Sequence, residues 1–194
     1  MLTVFTPPVT EPVSLAEAKA QLRITTSDED GLIAGYLIAA RQHCENIMGR
    51  ALVTRTYEQT LDYQWPESDG STYIMPAMPP LVSVTQISYV DNSGNTIVLP
   101  SNQYRVLPRD PYGVVVPAFG VVWPPIRSQL DAATIRFVAG YGAIGAIPEP
   151  IRLAILLLTA HYYENREAVI VSRDLPSTLP MAVDSLLSLY RTFF

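Results

Sequence analysis

The stretch TTSDEDGLIAGYLIAARQHCENIMGRAL, residues 25–52, decides the fold class. It predicts a long helix that ends where the spacing of apolar residues changes from that of a helix to that of a strand. Ser27 or Thr26 is predicted to cap this helix, and acids fill its first turn, where the helix dipole favours them. Gly49 is placed to end the helix in a left-handed conformation. The apolar stripe recurs at alternating spacings of four and three: Ile33, Leu37, Ala40, Cys44 and Ile47.

From Leu52 onward the period becomes two, which indicates strands. In VTRTYEQTLDY, residues 53–63, Val53, Tyr57, Leu61 and Tyr63 fall on one face, as in a half-buried strand. LVSVTQISYV, DNSGN and TIVLP predict a hairpin with its turn at residues 92–95. QYRVL, GVVVPA and ATIRFVAGYG are further strands, and prolines separate the runs. Residues 52–142 are therefore predicted to form a small antiparallel β module.

Helical patterns flank this module on both sides. SLAEAKAQLRI begins with a capping box, Ser14 with Glu17, which predicts a helix over about residues 15–23. After the sheet, IPEPIRLAILLLTAHYYENRE returns to helical spacing, and LPMAVDSLLSLYRTFF is predicted as the last helix. The predicted fold is α+β, a helical bundle built from both chain ends with an inserted antiparallel β module. The predicted parts are residues 1–51 (N-terminal helices), 52–147 (β module) and 148–194 (C-terminal helices).

Composition bounds the class of protein. The chain has 194 residues, 48% hydrophobic and 16% charged, so it can bury a core. The net charge is −5, with a single lysine, Lys19, and no basic run, which argues against tight nucleic-acid binding. The longest apolar stretch, LAILLLTA at residues 153–160, is too short to span a bilayer. The lone cysteine, Cys44, lies in the apolar stripe and is predicted to be a buried small hydrophobe.

HYYENRE, residues 161–167, is the stretch that most resembles chemistry. It could hold a metal or an acid–base pair, but a zinc site needs three or four ligands and the only other histidine is His43. The alternative is a polar helix end, where His161 and Asn165 satisfy backbone groups while the charged side chains are solvated or paired. The missing ligands favour the second interpretation, and no catalytic residue, metal or cofactor is predicted.

Two surface features invite a partner. GLIAG, residues 31–35, predicts a thin helix face that another helix or subunit could approach. The tail SLYRTFF, residues 188–194, combines an arginine with three aromatic side chains, the residue types that dominate interface hot spots. These side chains could equally cap the protein's own core.

A resemblance connects these motifs. PVSLAEAKAQLRI, the DEDGLIAGYLIAARQHCENIMGRAL helix, TIRFVAGYG, IPEPIRLAILLLTAHYYENREAVI and LPMAVDSLLSLYR, taken in that order, resemble the head–tail connector (adaptor) proteins of long-tailed phages and prophage-like particles. Each motif is loose, but together they cover nearly the whole chain. In that family HYYENRE corresponds to the polar end of the third main helix, and no catalysis is attached to it.

The resemblance implies a structural protein of the virion neck, assembled in the host cytoplasm. It implies a twelve-fold ring under the portal protein that extends the DNA channel, without sequence-specific DNA binding, and docks the next neck or tail protein. An acidic wall would let DNA slide. We expect the segment from about residue 168 to the C-terminus to grip the portal, through a set of partner-binding residues: Arg173, Leu186, Tyr190, Arg191, Phe193 and Phe194. A stopper or tail-terminator role and, more remotely, a small hydrolase are the alternatives.

Overall fold

The protein is α+β, as predicted. A computed structural model describes residues 1–8, 10–63, 65, 67–68, 71–166 and 181–192. The helices of this part are α1 (Leu15–Leu22), α2 (Asp30–Met48), α3 (Glu149–Glu164) and α4 (Met181–Leu187). Its strands are β1 (Leu2–Thr6), β2 (Arg55–Leu61), β3 (Glu67–Ser68), β4 (Ser71–Thr72), β5 (Leu81–Val90), β6 (Thr96–Val98), β7 (Tyr104–Leu107), β8 (Val114–Pro117) and β9 (Ala133–Ala139). The chain separates into two compact units, Met1–Pro8 with Val53–Gly142, and the described residues of Val9–Leu52 with those of Ala143–Phe194.

The first unit is built on an antiparallel five-stranded sheet with strand order β1-β2-β9-β5-β6. The central strand, β9, alternates buried and half-buried residues along its length, so one of its faces lies in the core. Phe137 of β9 is fully buried and stacks on Tyr57 of β2, with ring centroids 5.6 Å apart. On the other face, Arg136 donates to Glu58 at 2.7 Å and lies over the ring of Phe5.

The strand β1 is a correction to the predicted boundary. Residues 1–8 were assigned to the N-terminal helices, but Leu2–Thr6 pairs with β2 as an edge strand of the sheet. The physical reason is the alternation of threonine with large apolar residues in LTVFT, which favours a strand once a partner is available. Tyr63, predicted on the buried face of β2, lies beyond that strand with a positive φ of 62° and an exposed ring.

Short hairpins complete the first unit. β5 and β6 are joined by the predicted turn, where the Asp91 carboxylate accepts from the backbone N–H groups of Ser93 and Asn95, each at 2.8 Å. β7 and β8 form a separate two-stranded sheet. Trp65 stacks on Trp123 with ring centroids 4.8 Å apart and is 7% exposed, which secures the segment that follows β8.

The second unit is helical. The capping box of α1 is present as predicted, with Ser14 and Glu17 bonding each other's backbone. Four residues of the predicted α2 stripe, Ile33, Leu37, Ala40 and Cys44, are buried, whereas Ile47 is half-buried and Met48 beside it is buried. Gly49 ends the helix at a φ of 65°. The predicted cap of α2 at Ser27 or Thr26 is wrong, because the N-cap residue is Glu29 and no side chain caps the helix; the Ser27 carbonyl accepts from Asp30 N in a turn that precedes it. Helix α3 packs against α1, α2 and α4.

The last helix is shorter than predicted. α4 ends at Leu187, a 3₁₀ turn covers Ser188–Tyr190, and Arg191 is extended. The chain leaves the helix because its backbone is bound elsewhere: Arg50 Nε donates to Tyr190 O at 2.7 Å, and Thr192 N donates to Met48 O at 2.8 Å. Residues 168–180 of the segment expected to grip the portal lie outside the described residues.

Candidate partner-binding surfaces

The polar end of α3 is a structural joint. Tyr163 Oη donates to Glu29, the N-cap residue of α2, and Arg166 Nη2 donates to the other oxygen of the same carboxylate at 2.8 Å. The hydrogen bond from Tyr163, followed by that from Arg166, holds the pKa of Glu29 below its usual value. Arg166 also lies over the Tyr163 ring, 4.5 Å from its centroid. These contacts join the end of α3 to the start of α2.

The two histidines have separate partners. His43 Nδ1 lies 2.9 Å from Tyr162 Oη, and His161 lies against Asn165, whose Nδ2 donates to the His161 carbonyl at 2.9 Å. Within the described residues, no group of three His, Cys, Asp or Glu side chains could hold a metal ion. Burial raises the pKa of the Cys44 thiol to about 12, so this thiol is not poised as a nucleophile.

The C-terminal segment is fixed to the end of α2. Besides the backbone bonds at Tyr190 and Thr192, the Thr192 hydroxyl donates to Met48 O at 2.8 Å and contacts Gly49 O at 3.1 Å. Arg50, the donor to Tyr190, is buried. Residues 190–192 of the predicted partner-binding tail are therefore held against the end of α2.

The six predicted partner-binding residues divide into two groups. Arg173, Phe193 and Phe194 lie outside the described residues. Among the others, Tyr190 and Leu186 are half-buried, and Arg191 Nη2 donates to Asp184 at 3.0 Å. The Arg191 Nε atom is buried without a hydrogen-bond partner. Leu189, between Leu186 and Tyr190 in the chain, was not among the predicted residues and is almost fully exposed.

Leu186 also lines a groove formed with two other helices. The groove has a volume of about 430 Å³, and its remaining lining residues are Glu17 of α1 and Glu149, Pro150, Arg152, Leu153 and Leu156 of α3. Arg152 bridges its rim, because Nη2 is paired with Glu17 and Nη1 with Glu149, the latter at 2.7 Å. Leu153 is 44% exposed, so the floor of the groove is apolar and open to solvent. Sequence reasoning missed this groove because its members come from three helices.

The outward face of α2 is the second candidate surface. Leu32 and Ile38 are exposed there, and an added Cβ at Gly31 or Gly35 would meet no atom within 4 Å. Arg41 and Glu45 are the charged side chains between residues 31 and 46, and both are buried. A shallow depression of about 520 Å³ borders this face and is lined by Ala39, Gln42, His43, Asn46, Ile47 and Tyr162.

The first unit presents an apolar turn of its own. Val121 N donates to Ala118 O at 2.9 Å and closes a turn that leaves the Phe119 ring fully exposed. Val122 beside it is also exposed. A search of the described helices found none that is both long and apolar enough to cross a membrane.

Comparisons with known proteins point to one class. A family model described as "Head completion protein" matches residues 12–193. A chain in the neck of an empty gene transfer agent (GTA) particle, computed with C6 symmetry, is 26% identical with a TM-score of 0.79, and the match covers 100% of this chain and 96% of that one. A chain in the virion of the native particle has a TM-score of 0.78 at the same identity and coverages.

A third solved structure, the neck of the native GTA particle computed with C12 symmetry, matches at 26% identity with a TM-score of 0.69. That match covers 98% of this chain and 96% of the other. The search of curated proteins returned no match.

Proposed function

The chain belongs to the head completion protein family and acts as a head–tail connector of a phage-like particle, and we propose that it does so as one subunit of a closed ring beneath the portal. The observation that carries this proposal is the match of the whole chain to a component of GTA necks. The resemblance to head–tail connectors drawn from the sequence is thereby confirmed. The location that follows is the neck of the virion.

Ring assembly is supported by the symmetry of the similar necks, which were computed with C6 and C12 symmetry. We propose twelve copies, each contacting two neighbours through a repeated heterologous interface. Such a ring extends the DNA channel of the portal and offers a surface to the next neck protein. The net charge of −5 suits a channel wall that repels phosphate and lets DNA slide.

The proposed division of labour follows the chain. The helices α1, α2, α3 and α4 form a bundle that makes the ring, and the β module, residues 53–142 together with strand β1, is carried as an insertion. The packing of α3 on α1, α2 and α4 supports this arrangement. The role is structural and not catalytic. About one zinc per chain in metal analysis, together with hydrolytic activity that a chelator removes, would contradict this, because a catalytic zinc keeps three protein ligands and an open position.

Portal binding is assigned to the C-terminal segment, with Arg173, Leu186, Tyr190, Arg191, Phe193 and Phe194 as its contact residues. Two observations support this assignment. Hydrogen bonds from Arg50 to Tyr190 and from Thr192 to Met48 hold the segment against the end of α2, and Leu189 is exposed to solvent. Because these residues are already held in place, the tail loses less conformational entropy when it binds, which favours affinity.

The experiment is removal of residues 193–194, which leaves the Thr192 hydrogen bonds in place. Each buried aromatic anchor of an interface is worth about 2 kcal/mol or more, so we expect portal affinity to fall by about 30-fold or more for each phenylalanine side chain removed. Co-sedimentation with the portal measures the loss, and circular dichroism should show an unchanged fold.

The matched control is Phe119→Ser, which removes an exposed aromatic ring from the sheet unit and should leave portal binding unchanged. If the truncated protein binds the portal as well as the full chain, the tail is not the portal contact. If microscopy of particles places the protein on the tail side of the neck and away from the portal, the role is that of a stopper or terminator.

A further inference from the structure

We infer that the outward face of α2 packs into the leucine groove of the next copy in the ring. The α2 face consists of Gly31, Leu32, Gly35, Ile38, Ala39 and Gln42. The leucine groove is the groove described above, floored by Leu153, Leu156 and Leu186. The inference rests on the proposed ring and names which two surfaces meet in it; the occupant of the groove is a second copy of this chain.

The α2 face lacks the usual signature of a solvated helix. Charged side chains ordinarily fill the outward face of a surface helix. Here Arg41 and Glu45 are turned inward, while Leu32 and Ile38 are 39% and 41% exposed. Asp30, at the start of the helix, is paired with Lys19 at 2.6 Å. The face is therefore uncharged from residue 31 to residue 46, over about four turns.

Gly35 adds a cost that the isolated chain does not need. A glycine inside a helix is about 1 kcal/mol less favourable than alanine. Packing within the chain gives no reason for it, because a Cβ at Gly35 would touch nothing within 4 Å. Close approach of a neighbouring helix gives such a reason, since the absence of a side chain lets two backbones come together.

The two surfaces point to different sides of the helical unit. In α2 the buried stripe contains Ile33 and Leu37, and the exposed face lies two residues away, about 200° around the helix axis. In α3 the same offset separates buried Ile151 from exposed Leu153. Because α2 and α3 pack together through their buried sides, their exposed faces are directed apart. A ring needs this arrangement, since each subunit meets two neighbours through two different surfaces.

The size of the contact favours a ring over a free dimer. The face from residue 31 to residue 46 is about 24 Å long and one helix, about 10 Å, wide. Its area is therefore about 240 Å², whereas a stable interface buries about 800 Å² on each partner. A single such contact is too small to hold two copies together, so it becomes effective when several copies are brought together on a template.

Crosslinking tests the pairing directly. In the full chain, Ala39→Cys and Leu153→Cys are combined, and the variant assembled on the portal is treated with a short bis-maleimide. Cys44 is buried and its thiol pKa is raised, so the engineered thiols are the ones that react. A heterologous contact brings residue 39 of one copy near residue 153 of the next, so we expect a ladder of covalent dimers, trimers and larger species. Each single variant should stay uncrosslinked.

The matched control pairs Ala39→Cys with Ser93→Cys, at the exposed turn between β5 and β6, and should give no ladder. Covalent dimers from either single variant would indicate a two-fold contact and overturn the inference. The absence of a ladder from the 39/153 pair assembled on the portal would also overturn it. If that result accompanied a ring seen on the portal by microscopy, the connector function would stand and only this interface would fall.

A second measurement uses charge. Ile38→Lys and Leu153→Glu should each weaken assembly on the portal. The double variant should recover assembly, because in a ring each introduced lysine then faces the introduced glutamate of the next copy. Failure of the double variant to recover, with both single variants folded by circular dichroism, would show that the two positions do not meet.

Discussion

Arg41 is a buried charge of α2 and the site of the most informative substitution, Arg41→Met. Its side chain is in the interior, with Nε donating to Glu11 and Nη1 donating to Glu45, both at 2.7 Å. Glu45 is as deeply buried, and its other oxygen accepts from Leu52 N at 2.9 Å. Methionine keeps the length and apolar stem of the side chain and removes the charge.

The expected loss in the free energy of unfolding depends on the Glu45 charge that stays in the interior. Breaking a buried ion pair by removing one partner costs about 3–5 kcal/mol, because the other charge stays in a poorly solvated site. Glu45 keeps the N–H of Leu52, so we expect the lower end, about 3 kcal/mol. For a chain of this length each kcal/mol lowers the melting temperature by about 2–4 °C, which predicts a fall of about 6–12 °C.

The assay is thermal and urea denaturation followed by the helical circular dichroism signal, since the network lies in the helical unit. The companion variant is Arg41→Met with Glu45→Gln. The glutamine oxygen can still accept from Leu52, and the buried carboxylate charge is removed together with the guanidinium, while Glu11, the other partner of Arg41, is partly exposed to solvent. We expect this double variant to lie within about 1 kcal/mol of the wild type, because replacing both members of a buried pair is often close to neutral.

Two results would refute this reasoning. One is a cost below about 1 kcal/mol for Arg41→Met, which would mean that Glu45 does not depend on the guanidinium. The other is a double variant whose cost equals the sum of the two single costs, since additive effects show that two residues do not interact.

Three further predictions concern local features. Glu29→Gln should weaken the loss of folding stability at acidic pH. The pKa of Glu29 is lowered in the folded state, so its stabilising contribution is complete above the unfolded pKa of about 4.3 and is lost as pH falls through the folded pKa. The same slope of stability against pH in variant and wild type, between about pH 7 and about pH 3, would contradict this. Gly140→Ala should cost at least about 2 kcal/mol more than Gly142→Ala in thermal denaturation, because a Cβ at residue 140 would lie 2.6 Å from the Thr54 backbone while one at residue 142 meets nothing; equal costs would argue against that contact. Cys44 should resist iodoacetamide at about pH 8 in the native protein and react after denaturation, as mass spectrometry can show, because burial raises its pKa to about 12; rapid native labelling would show that the core opens.

Local periodicity made the helices and most strands predictable. The stripe of α2 and the capping box of α1 are written within a few turns of sequence, so they could be read without knowing the partner. The hairpin of β5 and β6 was equally local, since Asp91 organises its own turn. The resemblance to connector proteins depended on these same local motifs.

The features that sequence reasoning missed depend on distant residues. β1 becomes a strand because β2, more than fifty residues away, gives it a partner. α4 ends early because Arg50, in the other half of the helical unit, binds the Tyr190 carbonyl. The leucine groove draws on α1, α3 and α4, and no spacing in the sequence relates Glu17 to Leu186. Leu186 was predicted from its place in an amphipathic tail, and nothing in that pattern indicated a groove.

The position of β9 has a consequence for synthesis. It follows all the other described strands along the chain and occupies the middle of the sheet, between β2 and β5. A chain that stops before residue 133 therefore holds two partial sheets with unpaired edges, which promote aggregation and attract proteolysis. We expect an incomplete copy to be removed before it can enter a particle and spoil its symmetry. On this expectation, a chain must be translated past β9 before its sheet is complete.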